Sequence, residues 1–282
     1  MPNDHFDISV VEQAIAHTSF AGHITHLSSV PSTNDLALQA AHSGQRLGVW
    51  IADEQTAGRG RGKHIWHSVP GDGLYMTALI SPSIPMQSAL GLSFTTAIAV
   101  QSAVASVTGF QIRDQIDIRW PNDLLLNGRK CCGILIETSA QPVCVQSLSP
   151  SLLRYAAIGI GINVNHTSFP SELDAIATSL CRELTPSKPL RREPLASAIL
   201  VALDAKLRAL ATNNQQPTTS NLPDFTQFSS WISGKHVRVD ACDDGPSGYT
   251  GVTAGLDPHG FLRVNGDDGQ LHTVLTGGLR EP

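Results

Sequence analysis

The sequence has little charge and no excess of positive charge. Charged residues make up 15% of its 282 residues, and 24 acidic residues outnumber 19 basic ones, which gives a formal net charge of -5. A protein that binds nucleic acid through its phosphates needs a basic surface. The charge balance therefore argues against a generic nucleic-acid-binding protein. The hydrophobic content of 41% argues against disorder and predicts a folded globular chain.

Cysteine is scarce and follows no known pattern. The cysteines form no Cys-x-x-Cys pair, lie at no zinc-finger spacing with histidine, and are odd in number: Cys131, Cys132, Cys144, Cys181 and Cys242. We therefore expect reduced thiols rather than a disulfide framework. The adjacent pair Cys131 and Cys132 has no evident histidine partner and is interpreted as part of the core. The 11 histidines contain no His-Glu-x-x-His motif, so they predict no metal site.

The chain also lacks the patterns of secreted and membrane proteins. Its first residues show no basic segment followed by an apolar stretch. Its apolar runs fall short of the roughly 20 residues that cross a bilayer. We expect a cytoplasmic protein without a membrane segment.

Hydrophobic patterns predict a mixed α/β main domain. Residues 23–43 predict a strand, a polar turn and a helix that Ser32, Thr33 or Asn34 could cap, and residues 89–108 predict a buried helix. Further strands are predicted in LGVWIAD, GLYMTALI and RYAAIGIGINVN. Residues 116–138 predict two strands joined by a hairpin at Asn127-Gly128.

A small all-β domain is predicted at the C-terminal end. A helical pattern ends near Leu210, and the polar, proline-bearing segment 212–223 predicts a boundary. Beyond it, residues 234–280 alternate short β runs with Gly, Asp, Asn and Pro turns, as a small barrel does. The predicted domains are residues 1–220 and 229–282.

The segment GRGRGK at residues 58–63 predicts an anion site. Its glycines let backbone amides turn towards one ligand, and its arginines and lysine supply positive charge for a phosphate or carboxylate. A P-loop is excluded, because His64 stands where Ser or Thr is required and Ala57 where the first glycine is required. A solvated basic turn and an RNA-binding arginine patch are the alternatives.

Two further motifs are ambiguous by themselves. GIGIN at residues 159–163 fails the Rossmann fingerprint, because the last glycine would be Val164; a glycine-bearing buried strand is the alternative. WPND at residues 120–123 could supply Asp123 to a magnesium ion, directly or through water, and Lys130 could place its charge on a reacting carboxylate or phosphate. Taken alone, WPND is more often an ordinary turn and Lys130 more often an exposed charge.

Taken in order, these motifs resemble those of the biotin–protein ligases. The resemblance covers residues 24–165, and the closing β segment with Gly278-Leu279-Arg280 resembles the family's C-terminal domain. The ordered set is Ser32-Thr33-Asn34, Gln55 to Arg61, Trp66, Arg119 to Asp123, Gly128 to Lys130, Gly133 to Leu135 and Gly159 to Asn163. The resemblance implies an α+β fold, with a catalytic domain like that of class II aminoacyl-tRNA synthetases and a small SH3-like β-barrel.

The resemblance also implies an activity and its site. The activity is ATP-dependent conversion of biotin to biotinyl-5'-AMP, followed by transfer to a lysine of a biotin carboxyl carrier protein, a subunit of acetyl-CoA carboxylase. The implied catalytic residues are Lys130, Arg59 and Arg61. The implied biotin-binding residues are Ser32, Thr33, Asn34, Gln55, Arg59, Gly60, Arg61, Lys130 and Gly133. The implied ATP or adenylate residues are Trp66, Asn122, Asp123 and Asn163, with Mg2+ near Asp123.

Some features depart from the family pattern. Lys63-His64 replaces a common Arg or Gly continuation, and Arg119 stands where many relatives have lysine; both keep positive charge. About twenty residues precede the first matched strand, too few for a helix-turn-helix domain, so we expect no nucleic acid partner and no repressor activity. A homodimer stays open. The rival interpretations are a lipoate–protein ligase and a non-catalytic biotin-binding regulator.

Overall fold

A seven-stranded sheet forms the centre of the larger unit. The computed structural model describes residues 6–62, 64–140, 151–186, 188–212, 222, 224–240, 248–275 and 277–282. The strands are β1 Ile24–Leu27, β2 Gly48–Ala52, β3 Gly73–Ile80, β4 Ile116–Arg119, β5 Asp123–Leu126, β6 Arg129–Ala140 and β7 Leu153–Asn163. Their order in the sheet is β1-β2-β3-β7-β6-β5-β4. Strands β1 and β2 are parallel, and all other neighbours are antiparallel.

Helices cover this sheet. They are α1 Ile8–Ala14, α2 Thr33–His42, α3 Ala89–Thr108, α4 Ser171–Asp174, α5 Leu180–Leu184 and α6 Arg192–Thr212, with short 3-10 helices at Met86–Ser88 and Phe110–Gln115. Helix α3 packs against α6, β5 and β6, while α2 packs against β2, β3 and β7. The apolar composition of β3, which is buried along its whole length, suits a strand at the centre of such a layered core.

The predicted buried helix at residues 89–108 is confirmed. Helix α3 is 20 residues long and apolar enough on average to cross a membrane by length and composition, although Ser, Thr and Gln interrupt its apolar runs. Of the apolar window that meets this test, 72% is buried inside the fold, and a core helix passes the same test. Here α3 serves as a core helix, with Leu92 and Phe94 fully buried.

The segment 116–138 forms three strands rather than the predicted two. The predicted hairpin at Asn127-Gly128 is confirmed, with φ values of 51° and 78° that suit a tight two-residue turn. A second, shorter hairpin joins β4 to β5 through the cis peptide bond between Trp120 and Pro121. The sequence pattern was interpreted as one strand on each side of Asn127-Gly128, although an ordinary turn at WPND was among the alternatives, and the structure contains that turn. The turn brings Asp123 to the start of β5, opposite Gly133 of β6.

The C-terminal unit is a five-stranded antiparallel sheet, which confirms the predicted α+β fold with a small all-β unit. Its strands are β8 Ser233–Val239, β9 Tyr249–Leu256, β10 Leu262–Gly266, β11 Leu271–Val274 and β12 Leu279–Arg280, in the order β11-β10-β9-β8-β12. Most of the predicted boundary segment lies outside the described residues, and the domain limits 1–220 and 229–282 stay predictions.

The cysteines within the described residues agree with the sequence interpretation. Cys131, Cys132 and Cys181 are free thiols, and the first two are buried in the core. Burial raises the pKa of the Cys131 thiol to about 12, so this sulfur is a poor nucleophile. Cys144 and Cys242 lie outside the described residues.

Candidate active site

Glycines on two central strands make room for the side chains of the site. Gly133 of β6 pairs with Gly161 of β7, and the Trp66 indole lies against both. A Cβ atom at Gly161 would lie 2.7 Å from Trp66 Cε2, and one at Gly133 would lie 2.8 Å from Trp66 Cζ3. Any larger residue would therefore displace the ring. The glycine-bearing buried strand weighed against a Rossmann motif is what the structure contains.

A third glycine accommodates the polar turn before α2. A Cβ atom at Gly159 would lie 2.2 Å from Asn34 Oδ1. The same amide oxygen accepts a 2.6 Å hydrogen bond from the Thr77 hydroxyl. Thr77 is a fully buried hydroxyl on β3. Sequence analysis did not select it, although a lone polar residue in the apolar strand GLYMTALI was a usable signal, since buried polar groups need partners.

The turn and Gln55 are joined by hydrogen bonds. Thr33 donates to Gln55 Oε1 from its backbone nitrogen at 2.9 Å and from its hydroxyl at 3.1 Å. Ser32 stands at the N-cap position of α2, but its side chain makes no capping hydrogen bond. Capping alone therefore does not explain this turn. Its hydroxyls and amides form a small polar cluster that can offer both donors and acceptors to a neutral ligand.

The glycine- and arginine-rich segment folds back on itself as a short loop, here called the lid (residues 58–62 and 64–66). Gly60 N donates to His64 O at 2.8 Å, and Trp66 N donates to Gly58 O at 2.9 Å. Gly62 adopts a left-handed conformation, with φ of 61°. Lys63 lies outside the described residues. The lid therefore presents its arginines and Trp66 from one hairpin-like frame beside the polar turn.

Arg59 of the lid is bound by two carboxylates. Its Nη2 lies 2.6 Å from Glu137 Oε2 and 2.7 Å from Asp35 Oδ1, and its Nη1 donates to Glu137 Oε1 at 3.1 Å. Burial acts to lower the pKa of the Arg59 guanidinium, but Glu137 and Asp35 outweigh it and the net pKa is raised. Neither carboxylate was selected from the sequence, because Glu137 sits in an apolar strand and Asp35 reads as an ordinary first-turn helix residue.

Lys130, Asp123 and Arg119 form a second charged group. Asp123 accepts from Lys130 Nζ at 2.6 Å through Oδ1 and from Arg119 Nη2 at 2.7 Å through Oδ2. Burial acts to raise the pKa of the Asp123 carboxyl, but the two cations outweigh it and lower the net pKa. Lys130 Nζ also lies 5.5 Å from the centroid of the Trp66 ring. The structure thus brings the predicted amine, carboxylate and indole together.

Two asparagines extend the site towards the ends of β5 and β7. Asn122 accepts from Arg61 Nη1 at 3.2 Å and donates to the Ile134 carbonyl oxygen at 2.5 Å. Asn163 donates to the Thr178 carbonyl oxygen at 3.0 Å. Asn163 Oδ1 and Trp66 Nε1 are buried and have no hydrogen-bond partner among the described residues. Such orphaned polar atoms are rare and here suit contacts to a ligand.

A protein-only magnesium cage does not fit this donor set. Both Asp123 oxygens already bind cations, and the described residues contain no group of three or more His, Cys, Asp or Glu that could hold a metal. Magnesium in nucleotide sites is usually held by phosphates, waters and one or two carboxylates. An ion here would therefore depend on nucleotide oxygens, with Asp123 reaching it through water.

Known families match both units of the chain. Residues 27–149 match the biotin/lipoate A/B protein ligase family, and residues 232–277 match the biotin protein ligase C-terminal domain. The bifunctional ligase/repressor BirA of Bacillus subtilis is 36% identical over 250 residues, which span 88% of this chain and 70% of that protein. The biotin–[acetyl-CoA-carboxylase] ligase of Mycobacterium tuberculosis is 30% identical, over 96% of this chain and 92% of the relative.

Solved structures agree at the level of the fold. The biotin protein ligase from Aquifex aeolicus in complex with biotin and ATP has a TM-score of 0.71 and 23% sequence identity. The match covers 93% of this chain and 100% of the Aquifex chain. The apo structure of the same enzyme has a TM-score of 0.68 over 92% of this chain.

Proposed function

This chain belongs to the biotin protein ligase family. We propose that it activates biotin with ATP and then transfers the biotinyl group to a lysine of a biotin carboxyl carrier protein. In the first step a biotin carboxylate oxygen attacks the α-phosphorus of ATP, a new O–P bond forms, and pyrophosphate departs. In the second step the acceptor lysine amine attacks the carbonyl carbon of biotinyl-5'-AMP. AMP leaves, and the amine releases a proton.

One observation carries the proposal: the Lys130 amine and the arginine-bearing lid come together around Trp66. Lys130 Nζ lies 5.5 Å from the Trp66 ring centroid, and Arg61 of the same lid reaches Asn122. Both reactants of the first step are anions, so they repel each other. Fixed cations that face the forming O–P bond lower this repulsion without reorganising in the transition state. Lys130 serves the biotin carboxylate, and Arg61 serves the phosphate.

The polar turn suits the ureido ring of biotin. That ring is neutral and carries both N–H donors and a carbonyl acceptor, and Ser32, Thr33 and Gln55 offer hydroxyl and amide groups of both kinds. Asn34 supports the turn through its bonds to neighbouring strands. Gly60 and Gly133 let the lid and β6 come close to the ligand. These assignments follow the family and the geometry together.

We assign the nucleotide to the side of Trp66 opposite the biotin-binding turn. Trp66 packs beside the base, and Asn122 and Asn163 supply amide groups to the nucleotide. Magnesium, when bound with ATP, neutralises phosphate charge. Asp123 orients Lys130 and Arg119, and its carboxylate would help to hold the ion through water. The lid then shields the mixed anhydride from hydrolysis until the acceptor lysine arrives.

Two rival functions can be distinguished by experiment, one by the acid that is activated and the other by pyrophosphate exchange. A lipoate ligase uses the same adenylate chemistry, and the first family match includes lipoate ligases by name. The match of residues 232–277 to a biotin protein ligase domain favours biotin. A non-catalytic biotin-binding regulator would bind the vitamin without biotin-dependent exchange of pyrophosphate into ATP. We place the reaction in the cytoplasm and leave a homodimer open.

The experiment is incubation of the protein with ATP, Mg2+, biotin and an isolated carrier domain, followed by intact mass spectrometry. We expect the carrier to gain one biotinyl group, and its lysine-to-arginine variant to gain none. Parallel reactions with lipoate and octanoate should leave the carrier unchanged. Modification by lipoate but not by biotin would overturn the proposal.

A further inference from the structure

The Glu137 carboxylate connects two parts of the site that lie far apart in the sequence. Its Oε2 lies 2.6 Å from Arg59 Nη2 of the lid and accepts from Asn34 Nδ2 of the polar turn at 2.8 Å. Its Oε1 accepts a second bond from Arg59 at 3.1 Å. The oxygen Oε2 is therefore shared by the turn and the lid. Movement of either partner changes the position of the acceptor that the other one uses.

On the turn side, the Asn34 amide is fully engaged within the protein. Its Oδ1 accepts from Thr77, and its Nδ2 donates to Glu137 and to the Leu135 carbonyl oxygen at 3.3 Å. Asn34 is buried, and a Cβ atom at Gly159 would clash with its amide. A ligand could bind the Asn34 amide only by replacing one of these bonds. The arrangement makes Asn34 a link between Thr33, its neighbour in the turn, and Glu137.

On the lid side, the Arg59 charge is already compensated. The guanidinium forms a two-bond pair with Glu137 and a further ion pair with Asp35 of α2. Two carboxylates thus face one guanidinium. A cation so paired contributes little net positive charge to a substrate anion. Paired carboxylate–guanidinium bonds instead fix geometry, because the planar fork matches both oxygens.

We propose that Glu137 is a positioning residue that couples the vitamin-binding turn to the closed lid, with Arg59 as its partner on the lid. The proposal rests on the proposed function, and it moves Arg59 from stabilising substrate charge to holding the lid. Biotin that orders the Ser32–Asn34 turn fixes Asn34, which fixes the shared Glu137 oxygen and strengthens its hold on Arg59. The lid then closes preferentially over the occupied site, and the adenylate is retained.

The first test is Glu137→Gln, which keeps the size of the side chain but replaces one acceptor oxygen by a donor that opposes the Arg59 and Asn34 N–H groups. We expect the KM for biotin to rise about tenfold and biotinyl-5'-AMP to leak into solution about tenfold faster, as loss of a charge-assisted bond implies. The KM for ATP should change by less than about twofold. In this variant, biotin should also no longer protect the lid against cleavage by trypsin.

The matched control is Glu281→Gln. Glu281 is another ion-paired glutamate, 3.0 Å from Lys235 Nζ, but it lies exposed near the C-terminus. This variant should match the parent in both KM values, in adenylate retention and in biotin-dependent protection from trypsin. A merely structural defect at Glu137 would raise both KM values together and lower Tm without biotin.

Asp35→Asn provides a second route if Glu137→Gln fails to fold. Asp35 pairs with Arg59 and is half-exposed, so its removal weakens the hold on the lid and leaves the Asn34–Glu137 bond in place. We expect faster adenylate leakage with an unchanged KM for biotin. The double variant Arg59→Gln with Glu137→Gln should leak no faster than the worse single variant, because both residues act through one contact.

Unchanged adenylate retention and trypsin protection in Glu137→Gln would overturn the coupling, as would fully additive effects of Arg59→Gln and Glu137→Gln. The failure of the proposed function is separate: in that case the parent enzyme itself would make no biotinyl-5'-AMP.

Discussion

The Trp120 indole Nε1 donates a 3.0 Å hydrogen bond to the carbonyl oxygen of Gly260. Trp120 follows β4 and is 2% exposed, while Gly260 lies in the turn between β9 and β10. This bond ties the loop that carries Asn122 and Asp123 to the C-terminal sheet. The position of two proposed nucleotide residues therefore depends on contact between the two units of the chain.

Trp120→Phe should remove this tie. We expect a loss of about 1 kcal/mol in the free energy of unfolding and a higher KM for ATP, with little change in the KM for biotin. Denaturant unfolding and steady-state kinetics measure both. The matched control is Trp231→Phe, since Trp231 is equally buried but its Nε1 has no hydrogen-bond partner among the described residues. An equal rise in the KM for ATP in both variants would contradict the tie.

Substitution of two glycines of β7 should change the KM values of the two substrates separately. Gly159→Ala places a Cβ atom against Asn34, and Gly161→Ala places one against Trp66. We expect the first to raise mainly the KM for biotin and the second mainly the KM for ATP, each by about tenfold or more, since overpacking costs about 1–3 kcal/mol. Each variant is the other's control. The same pattern of KM changes in both would mean that the two sides of the site are not distinct.

Lys130→Met should slow formation of the adenylate. Loss of one fixed charge facing the reacting groups typically costs about 10²–10³ in rate, so biotin-dependent ATP–pyrophosphate exchange should fall by this factor. Lys235→Met is the control, because Lys235 also stacks over an indole, that of Trp231 at 4.1 Å, but in the C-terminal sheet. Exchange at the parental rate in Lys130→Met would remove this lysine from the chemistry.

Arg61→Ala should let biotinyl-5'-AMP escape. The guanidinium of Arg61 donates to Asn122 and is assigned to phosphate charge, so its loss should slow activation and weaken retention of the adenylate. Filter separation of free adenylate from enzyme measures the leak. Retention as tight as that of the parent would show that Arg61 has another role.

The stability of the fold should fall on mild acidification because of His166. Burial, with a contribution from His67, lowers the pKa of His166 from 6.5 to about 4. Between these values the unfolded chain binds a proton that the folded chain excludes. The contribution of His166 to stability is therefore fully present above pH 6.5 and falls by up to about 3 kcal/mol as the pH drops towards 4. His166→Gln should flatten this part of the curve, as measured by urea unfolding at several pH values.

The His67→Gln variant provides the check. Since His67 lowers the pKa of His166, its removal should raise that pKa and shrink the loss of stability on acidification. A parental pH profile in both variants would show that the loss arises elsewhere.

The sequence was most informative where local chemistry determines structure. The Asn127-Gly128 turn was predicted because few residue pairs adopt two positive φ values. The α3 helix was predicted from its apolar spacing. Ordered motifs, rather than any single one, indicated the family. They also assigned Lys130, Asp123 and Trp66 to one site, and in the structure Lys130 contacts both Asp123 and Trp66.

Long-range pairing was not accessible from the sequence. Glu137 lies 78 positions from Arg59 and 103 from Asn34, and no local pattern announces a carboxylate shared by both. Asp35 resembled any acidic residue at a helix start. The roles of Arg59 and Asn34 also looked different before their partners were known, since a cation's use depends on which anions already face it.

The place of Trp66 gives the protein a built-in optical signal. Of its four tryptophans, Trp50, Trp120 and Trp231 are at most 9% exposed, whereas Trp66 is partly exposed beside Lys130 and the lid. Emission from the three buried indoles is a steady background, and emission from Trp66 should follow the occupancy of the neighbouring space. Binding and turnover can then be timed by stopped-flow fluorescence on unlabelled protein.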